Sequence, residues 1–334
     1  MHQNLMMGRC NKMVHITKTE HAGFCFGVER AIDKAEELLC KDIRSGAEQS
    51  SEMFRKSPAA DNCRGELASP SIIPVGASPI YSLGPLIHNE LVIADLEKKG
   101  LIVKDYDKDF FQNKKVLIRS HGIKKNIMEE LIANGNEIID LTCPFVKRIH
   151  NIVAEDVKNG YFVIVIGDKT HPEVEGIMSY AFPYVISVLN EDEARAVIDD
   201  NKDKISAGTM VSIVSQTTFD ETKNKKIVDI LANLFYNIKV NDTICNATSI
   251  RQKETRDLAS ISDVMLIIGS KNSSNTKKLY DIAKSFCKEA YFVSDINDLK
   301  NLKFDEGARV GVSAGASTPK KLIEEILNHV RTNF

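Results

Sequence analysis

The feature of this sequence that most constrains its fold is a regular alternation of strand-like and helix-like segments. Short apolar runs, such as residues 161–166 and 264–268, alternate with helical patterns of ten or more residues, such as 146–157 and 277–288. Parallel strands need long crossover connections, which are usually helices, so this alternation is typical of parallel sheets covered by helices on both faces. A chain of 334 residues is also too long for one comfortable core. We therefore predict an α/β fold of three similar units with mainly parallel sheets.

The predicted units follow one another along the chain. Residues 1–12 are predicted to form a loose extension, and residues 13–142 the first α/β unit. The second unit covers residues 143–242, and the third unit, with the C-terminal helix, covers residues 243–334. Residues 41–78 are rich in Ser, Ala, Glu, Pro and Gly, and we predict a polar loop or partly disordered insertion there within the first unit. Met1 and Met13 are both possible starts, because the segment between them has no periodicity.

A pattern of strand, cysteine and helix occurs three times, at Cys25, Cys143 and Cys245. At such a junction, free backbone N–H groups and the helix dipole stabilise a thiolate. Three units around a pseudo-threefold axis would bring the three thiolates to a common, central metal site. Soft sulfur ligands favour an iron–sulfur cluster or zinc, and the alternative is three independent buried cysteines. The pattern assigns no role to the remaining cysteines, which are Cys10, Cys40, Cys63 and Cys287.

The overall composition excludes several classes of partner. A net charge of −2 and a pI near 6.5 argue against nucleic acid or an anionic membrane as the main partner. No apolar run approaches the roughly 20 residues that a membrane span needs. Seven scattered cysteines do not resemble a secreted disulfide framework. We therefore expect a soluble protein in a reducing compartment, the cytoplasm.

Three histidines and two polar loops lie near the ends of predicted strands. His88, His121 and His171 have turn-like surroundings, where a histidine can act in a site or merely cap a helix. Residues 269–275 and 313–319 each follow a strand, and their hydroxyl, amide and backbone N–H groups can cradle a phosphate. The alternative for both loops is ordinary helix capping, which Ser, Thr and Asn favour.

Two further residues are candidates for chemistry beside these histidines. Glu173 lies two residues after His171 and can serve as an acid if partial burial raises its pKa. Thr217 lies in a polar segment that ends the strand predicted at residues 210–214.

Taken together, these segments resemble the 4-hydroxy-3-methylbut-2-enyl diphosphate reductase family, also called the LytB family. The resemblance extends from about Met13 to the C-terminal helix. It rests on ordered motifs, which are HAGFCFGV at 21–28, RSHG at 119–122, TCP at 142–144, HPEVEG at 171–176, QTT at 216–218, ICNAT at 244–248, GSKNSSN at 269–275 and AGAS at 314–317. The sequence departs from the family pattern in the insertion at 41–78.

The resemblance implies an iron–sulfur reductase that ends the methylerythritol phosphate route to isoprenoids. Its reaction is the reductive dehydroxylation of (E)-4-hydroxy-3-methylbut-2-enyl diphosphate to isopentenyl and dimethylallyl diphosphate. The resemblance further implies a [4Fe–4S] cluster on Cys25, Cys143 and Cys245, a proton delivered by Glu173, and Thr217 near the substrate hydroxyl. The residues implied to bind the diphosphate are His88, His121, His171, Ser273, Ser274, Asn275 and Ser317. The implied electron donor is a small reduced ferredoxin or flavodoxin.

Two other functions compete with this interpretation. One is a metal-free phosphate-ester isomerase or transferase on a doubly wound scaffold, with the cysteines merely buried. The other is a non-catalytic regulator or electron carrier that holds a cluster. Glu173 and the phosphate-like loops argue against the second alternative, because a carrier needs neither of them.

Overall fold

A computed structural model of the chain describes residues 14–49 and 79–334. Within these ranges the strands are β1 His15–Lys18, β2 Ile80–Leu83, β3 Leu101–Lys104, β4 Lys115–Ile118, β5 Glu137–Asp140, β6 Phe162–Ile166, β7 Val185–Val188, β8 Met210–Ser215, β9 Asn237–Val240, β10 Val264–Ile268, β11 Glu289–Val293 and β12 Arg309–Ala314. The α-helices are α1 Phe26–Gln49, α2 Glu90–Lys98, α3 Lys125–Ala133, α4 Pro144–Lys158, α5 Pro172–Ala181, α6 Glu191–Asp200, α7 Glu221–Leu234, α8 Asn246–Ala259, α9 Ser274–Phe286 and α10 Lys320–Asn333. None of these helices combines the length and the apolar composition that crossing a membrane requires.

The strands form three parallel sheets of four strands each. Their orders are β3-β2-β4-β5, β7-β6-β8-β9 and β11-β10-β12-β1, and every pairing within them is parallel. Helices connect most of the consecutive strands, as parallel connections require. The predicted fold of three α/β units with parallel sheets is thus confirmed.

The inner strands β6 and β10 are apolar and buried along their whole length because both of their faces are covered. In β6, Ile164 and Ile166 belong to one buried cluster, whereas Val163 and Val165 belong to another. Successive side chains of a strand point to opposite faces, so the two clusters lie on the two sides of the sheet. The edge strands β1 and β9 are mostly exposed, with one partly buried residue each. Burial therefore falls from the middle of a sheet towards its edge.

The chain divides into two compact units. One is Cys25–Ser249, which contains the sheets of β2–β5 and β6–β9. The other joins the segment ending at Phe24 to Ile250–Phe334 and contains the third sheet. Strand β1 pairs with β12 in this sheet, with His15 opposite Arg309, whereas the sequence-based division placed residues 13–142 together. A sequence pattern identifies a strand but not its distant partner, so the pairing of β1 was not foreseeable.

Two local elements also differ from the predictions. Strand β9 was not predicted, because a short, mostly exposed edge strand carries little hydrophobic signal. Helix α1 continues to Gln49, whereas a loop was predicted from Lys41. Glu37 pairs with Lys34 and with Lys41, and such pairs three and four residues apart support a helix. The rest of the predicted insertion, the extension at 1–12 and both possible start residues lie outside the described residues, as do Cys10 and Cys63.

Candidate active site

The three sheets lead to the predicted site residues from equivalent strands. The fourth strands in the orders given above, β5, β9 and β1, are followed by Cys143, Cys245 and Cys25. The third strands are followed by His121, Thr217 and Ser317, and the second strands by His88, His171 and the segment 273–275. These residues therefore follow the carboxyl ends of parallel strands, where open α/β sheets bind ligands. The repeated pattern in the sequence thus corresponds to equivalent strand positions in the three sheets.

The three predicted cysteines come together within the unit Cys25–Ser249. The Cys143 thiol interacts electrostatically with both Cys25 and Cys245. Gly27, at the start of α1, lies directly against Cys143, and a Cβ atom on Gly27 would be 2.6 Å from the Cys143 Sγ. A larger residue at position 27 would therefore displace the thiol. We call Cys25, Cys143 and Cys245 the thiol triad.

Each cysteine of the triad immediately precedes a helix, namely α1, α4 or α8. The Cys143 thiol accepts hydrogen bonds from the backbone N–H groups of Phe145 and Val146, and the Cys245 thiol from those of Ala247 and Thr248. Burial, together with the neighbouring thiols, nevertheless raises the pKa of Cys143 to about 11, and burial and the Cys25 thiol also raise the pKa of Cys245. The Cys143 and Cys245 thiols therefore stay protonated at neutral pH unless a cation replaces their protons.

The spacing of the triad distinguishes between the two kinds of metal centre left open by the sequence. Four tetrahedral ligands of one zinc ion, with Zn–S near ~2.3 Å, must lie within about 4 Å of one another. Among the described residues, the group whose ligand atoms all lie within 4.8 Å of one another is Glu20, His21 and Glu254, and the cysteines form no such group. The triad is thus more open than the ligands of a single zinc ion.

His88, His121 and His171 also come together in the unit Cys25–Ser249, and we call them the histidine cluster. Their ring centroids lie 4.4 Å apart for His88 and His121, 5.8 Å for His88 and His171, and 5.7 Å for His121 and His171. Burial, together with smaller effects of the neighbouring histidines and Arg119, lowers the pKa of His121 well below its usual value and that of His171 to about 4. The two imidazoles are therefore neutral at pH 7.

The hydrogen bonds of these rings show where donors are available. The Nδ1 atom of His171 accepts a hydrogen bond from the backbone N–H of Glu173 at 3.2 Å, at the start of α5. The neutral ring must then carry its proton on Nε2, which can donate to an anion. The Nδ1 atom of His121 is buried and has no hydrogen-bond partner in the described part of the chain. A buried polar atom without a partner indicates a missing ligand or water.

Arg119 lies beside the histidine cluster, and the sequence reasoning gave it no role. Its Nε atom donates to the carbonyl of Gly122 at 3.2 Å, and its Nη1 atom would be 3.0 Å from a Cβ atom on Gly84. Burial lowers the pKa of Arg119, but a guanidinium remains protonated at neutral pH. No carboxylate within the described ranges forms a salt bridge with it. Arg119 is thus a permanent cation packed between the loops that lead to His88 and from His121.

Glu173 and Thr217 form a buried pair. The backbone N–H of Thr217 donates to Glu173 Oε1 at 2.6 Å, and the Thr217 hydroxyl donates to Oε2 at 2.8 Å. Burial raises the pKa of Glu173 to about 7, although the two hydrogen bonds favour the charged form and act in the opposite direction. Near neutral pH the carboxyl group can therefore both hold and release a proton, which is what a general acid needs.

Backbone hydrogen bonds connect the thiol triad to the other site residues. The N–H of Cys143 donates to the carbonyl of Ser120 at 2.9 Å, and the N–H of Cys245 donates to that of Thr217 at 3.0 Å. These bonds continue the parallel pairing of β4 with β5 and of β8 with β9 beyond the strand ends. The thiols thus lie at the same sheet edges as His121 and the partner of Glu173.

The predicted anion-binding loops are adjacent to each other in the unit that contains Ile250–Phe334. Ser273 caps α9 by accepting a hydrogen bond from Thr276 N, and a Cβ atom on Gly315 would collide with the Thr276 hydroxyl oxygen. Asn275 is buried, and neither its Nδ2 nor its Oδ1 atom has a hydrogen-bond partner among the described residues. A buried amide in this state is suited to a polar ligand.

The remaining predicted residues are also placed by these loops. Ser274 is the first residue of α9, and Ser317 is buried in the loop after β12. Outside the triad, the buried Cys287 thiol donates to the carbonyl of Ser262 at 3.3 Å and to that of Glu289 at 3.2 Å, which gives it a structural role.

The fold and the site define a class of protein, an α/β enzyme of three parallel sheets whose strand ends lead to three cysteines, three histidines and a buried acid. A family model described as LytB protein matches residues 69–331. The chain belongs to the LytB family, as the sequence motifs predict.

Named relatives support this assignment over the whole length. The chain is 38% identical to the 4-hydroxy-3-methylbut-2-enyl diphosphate reductase of Nautilia profundicola over 322 residues, which cover 95% of this chain and 98% of the relative. It is 35% identical to the enzyme of the same name from Aquifex aeolicus, with 96% of each chain covered.

Solved structures agree with the curated relatives. A structure of (E)-4-hydroxy-3-methyl-but-2-enyl diphosphate reductase matches with a TM-score of 0.59 and 35% identity, over 95% of this chain and 99% of that chain. The structure of the Plasmodium falciparum E-1-hydroxy-2-methyl-but-2-enyl-4-diphosphate reductase matches with a TM-score of 0.74 and 27% identity, over 95% and 87%. These matches confirm the predicted reductase and do not favour the metal-free isomerase or transferase.

Proposed function

We propose that this chain catalyses the reductive dehydroxylation of (E)-4-hydroxy-3-methylbut-2-enyl diphosphate to isopentenyl and dimethylallyl diphosphate. The observation that carries the proposal is Glu173, a buried acid with a pKa of about 7, in the same compact unit as the thiol triad. Loss of a hydroxyl group as water needs a proton at the departing oxygen and a source of electrons. The named reductase relatives support this reaction.

We propose that Cys25, Cys143 and Cys245 hold a [4Fe–4S] cluster. The open spacing of the triad and the N–H groups directed at two of its sulfurs support this assignment. When bound, such a cluster supplies electrons one at a time and offers a Lewis-acidic iron that three cysteines leave without a protein ligand.

The proposed role of His88, His121 and His171 is to bind the diphosphate. The neutral imidazoles of His121 and His171 offer N–H donors, and a phosphate placed among the rings favours their protonation. Binding of the anion is then accompanied by proton uptake. The permanent charge of Arg119 adds to the attraction. We propose the same binding role for Ser273, Ser274, Asn275 and Ser317, whose loops offer hydroxyl and amide groups.

The proposed role of Glu173 is to give its proton to the departing hydroxyl oxygen, which leaves as water. The whole reaction consumes two electrons and two protons, because the remaining allylic fragment takes the second proton at carbon. Protonation at one end or the other gives the two products. Thr217 orients the carboxyl group through its N–H and hydroxyl. The further role proposed for Thr217 is to lie near the substrate hydroxyl.

We propose a small reduced ferredoxin or flavodoxin as the electron donor. Phe26 and Phe145 are 64% and 41% exposed, and they follow Cys25 and Cys143 by one and two residues. Because Gly27 contacts Cys143, the starts of α1 and α4 belong to one area of the surface. Exposed aromatic residues are enriched at protein interfaces, and redox partners use small ones.

Anaerobic reconstitution with iron and sulfide tests the proposal. We expect brown protein that absorbs broadly near ~400 nm and binds about four irons per chain. The loaded protein should convert the diphosphate substrate to both products with a chemical reductant. Colourless protein after reconstitution would contradict the cluster, and loaded protein without turnover would contradict the reaction.

A further inference from the structure

Arg30 ties the start of α1 to the backbone that precedes Cys143. It is the fifth residue after Cys25, and its Nη2 atom donates to the carbonyl oxygens of Leu141 at 3.2 Å and Thr142 at 2.7 Å. These are the two residues immediately before Cys143. The Nε atom of Arg30 is buried and has no hydrogen-bond partner in the described ranges. One guanidinium thus holds both carbonyls that lead into a thiol of the triad.

Arg251 makes the same arrangement in the other compact unit. It is the sixth residue after Cys245, and its Nη2 atom donates to the carbonyl oxygens of Gly23 at 2.9 Å and Phe24 at 3.4 Å. These are the two residues immediately before Cys25. The Arg251 side chain is buried, so these bonds are shielded from water. The same arrangement therefore occurs twice. In each case an arginine on the helix that follows one cysteine binds the two backbone carbonyls that precede another cysteine.

The third equivalent position is different. Arg148 is the fifth residue after Cys143, on α4, but it is exposed and makes no hydrogen bond or ion pair with the residues that the structure describes. The same residue type at the same position after a cysteine thus occurs with and without the backbone contact. This difference provides an internal control.

We infer that Arg30 and Arg251 are positioning residues that fix the thiols of Cys143 and Cys25 for the cluster. The inference rests on the proposed cluster of the preceding subsection. A guanidinium has a planar, rigid set of donors and keeps its charge, so it restrains a pair of carbonyls more firmly than a lysine does. It also places a fixed positive charge on the backbone directly before Cys143 and Cys25. Groups that orient metal ligands typically affect metal affinity by about 10- to 100-fold.

The test compares Arg30→Gln and Arg251→Gln with the matched control Arg148→Gln in the full-length, anaerobically reconstituted protein. The readout is the rate at which a chelator removes iron, followed by the loss of visible absorbance. We expect loss about 10- to 100-fold faster in the first two variants and within about 2-fold of the parent protein in the control. Equal rates in all three variants, or a control as fast as the others, would overturn the inference.

Arg30→Lys separates charge from geometry and keeps the test informative if Arg30→Gln does not fold. Removing a positive charge makes reduction of a cluster harder, so Arg30→Gln should lower the reduction potential. Arg30→Lys should keep the potential near that of the parent but lose iron faster, because a single ammonium holds the carbonyls less firmly. A parental iron-loss rate in Arg30→Lys would contradict the geometric role. Parent protein that takes up no cluster would instead contradict the proposed function.

Discussion

The thiol triad and the histidine cluster both follow the carboxyl ends of parallel strands in the unit Cys25–Ser249, yet they suit ligands of opposite charge. Burial raises the pKa of Cys143 and Cys245 and lowers that of His121 and His171, because in each case it disfavours the charged form. Burial therefore favours the thiol form of Cys143 and Cys245 and the neutral imidazole form of His121 and His171. The triad must lose protons to gain a metal, whereas the histidines gain or share protons when an anion binds.

The difference shows that burial alone does not select a ligand. The triad lies at helix N-termini whose N–H groups face sulfur, so deprotonated sulfur is stabilised once a metal compensates its charge. The histidine cluster has a guanidinium beside it, so it is set for a phosphate. Glu173 shows the same effect of burial on a single carboxyl group, whose pKa of about 7 makes it a proton donor.

The largest effect is expected from breaking the triad. Cys143→Ser replaces a soft ligand with a hard one, and we expect loss of bound iron and a fall in turnover on the order of 10³-fold or more, since a bound metal contributes several kcal/mol to such chemistry. Iron and sulfide content after anaerobic reconstitution checks this. The control is Cys287→Ser, because Cys287 is bonded to backbone carbonyls away from the triad. Full iron content in Cys143→Ser would show that the thiol triad does not bind the metal.

The next effect is expected from Glu173→Gln, which keeps the shape of the side chain but cannot give up a carboxylic proton. We expect the iron content to stay at the parental level and kcat to fall by about 10²- to 10⁴-fold, the usual contribution of general acid catalysis. In the parent, the protonated form prevails below the pKa of about 7, so kcat should fall as the pH rises through that value.

The control for this variant is Glu175→Gln on the same helix, where the carboxylate pairs with Lys124 at 3.3 Å. It should retain both parental activity and the parental pH profile. A Glu173→Gln enzyme with an unchanged kcat, or a parent whose kcat does not depend on pH between about 6 and 8, would remove the proton-donor role.

These expectations also show how far the sequence reaches. The spacing of Cys25, Cys143 and Cys245 predicts repeated units because each cysteine has the same local pattern, a strand before it and a helix after it. Local pattern also predicts that His88, His121 and His171 follow strand ends, and parallel topology then brings them together.

The contacts between segments that are distant in the chain could not be predicted from the sequence. The pairing of β1 with β12 joins strands from opposite ends of the chain, and Arg30 reaches carbonyls more than a hundred residues away. Arg119 belongs to the RSHG motif at 119–122, in which only the histidine is assigned a role from the sequence. An arginine directly after a predicted strand and two residues before a histidine is a local pattern that indicates a cation beside an anion-binding site.

A smaller effect is expected from Arg119→Gln, which removes the positive charge beside the histidine cluster. We expect KM for the diphosphate to rise about 10-fold with little change in kcat, the size typical of one charge-assisted contact. Arg119 lowers the pKa of His121 and His171, so its removal should raise both pKa values, which NMR of the imidazole signals measures. Arg195→Gln, an exposed arginine paired with Glu191 and Asp192, is the control. Unchanged histidine titration and an unchanged KM would show that Arg119 only supports the loops.

The smallest effect is expected at the surface beside the triad, where Phe26→Ala and Phe145→Ala should weaken docking of the protein electron donor. One exposed aromatic anchor is worth about 1 kcal/mol, so turnover with a reduced ferredoxin or flavodoxin should fall about 3- to 10-fold. Turnover with a small chemical reductant should not change, because such a reductant needs no docking surface. Phe182→Ala is the matched control, since Phe182 is 79% exposed on another helix end. An equal loss of turnover with both reductants would contradict the docking role. It would mean that the two phenylalanines instead support the structure of the thiol triad.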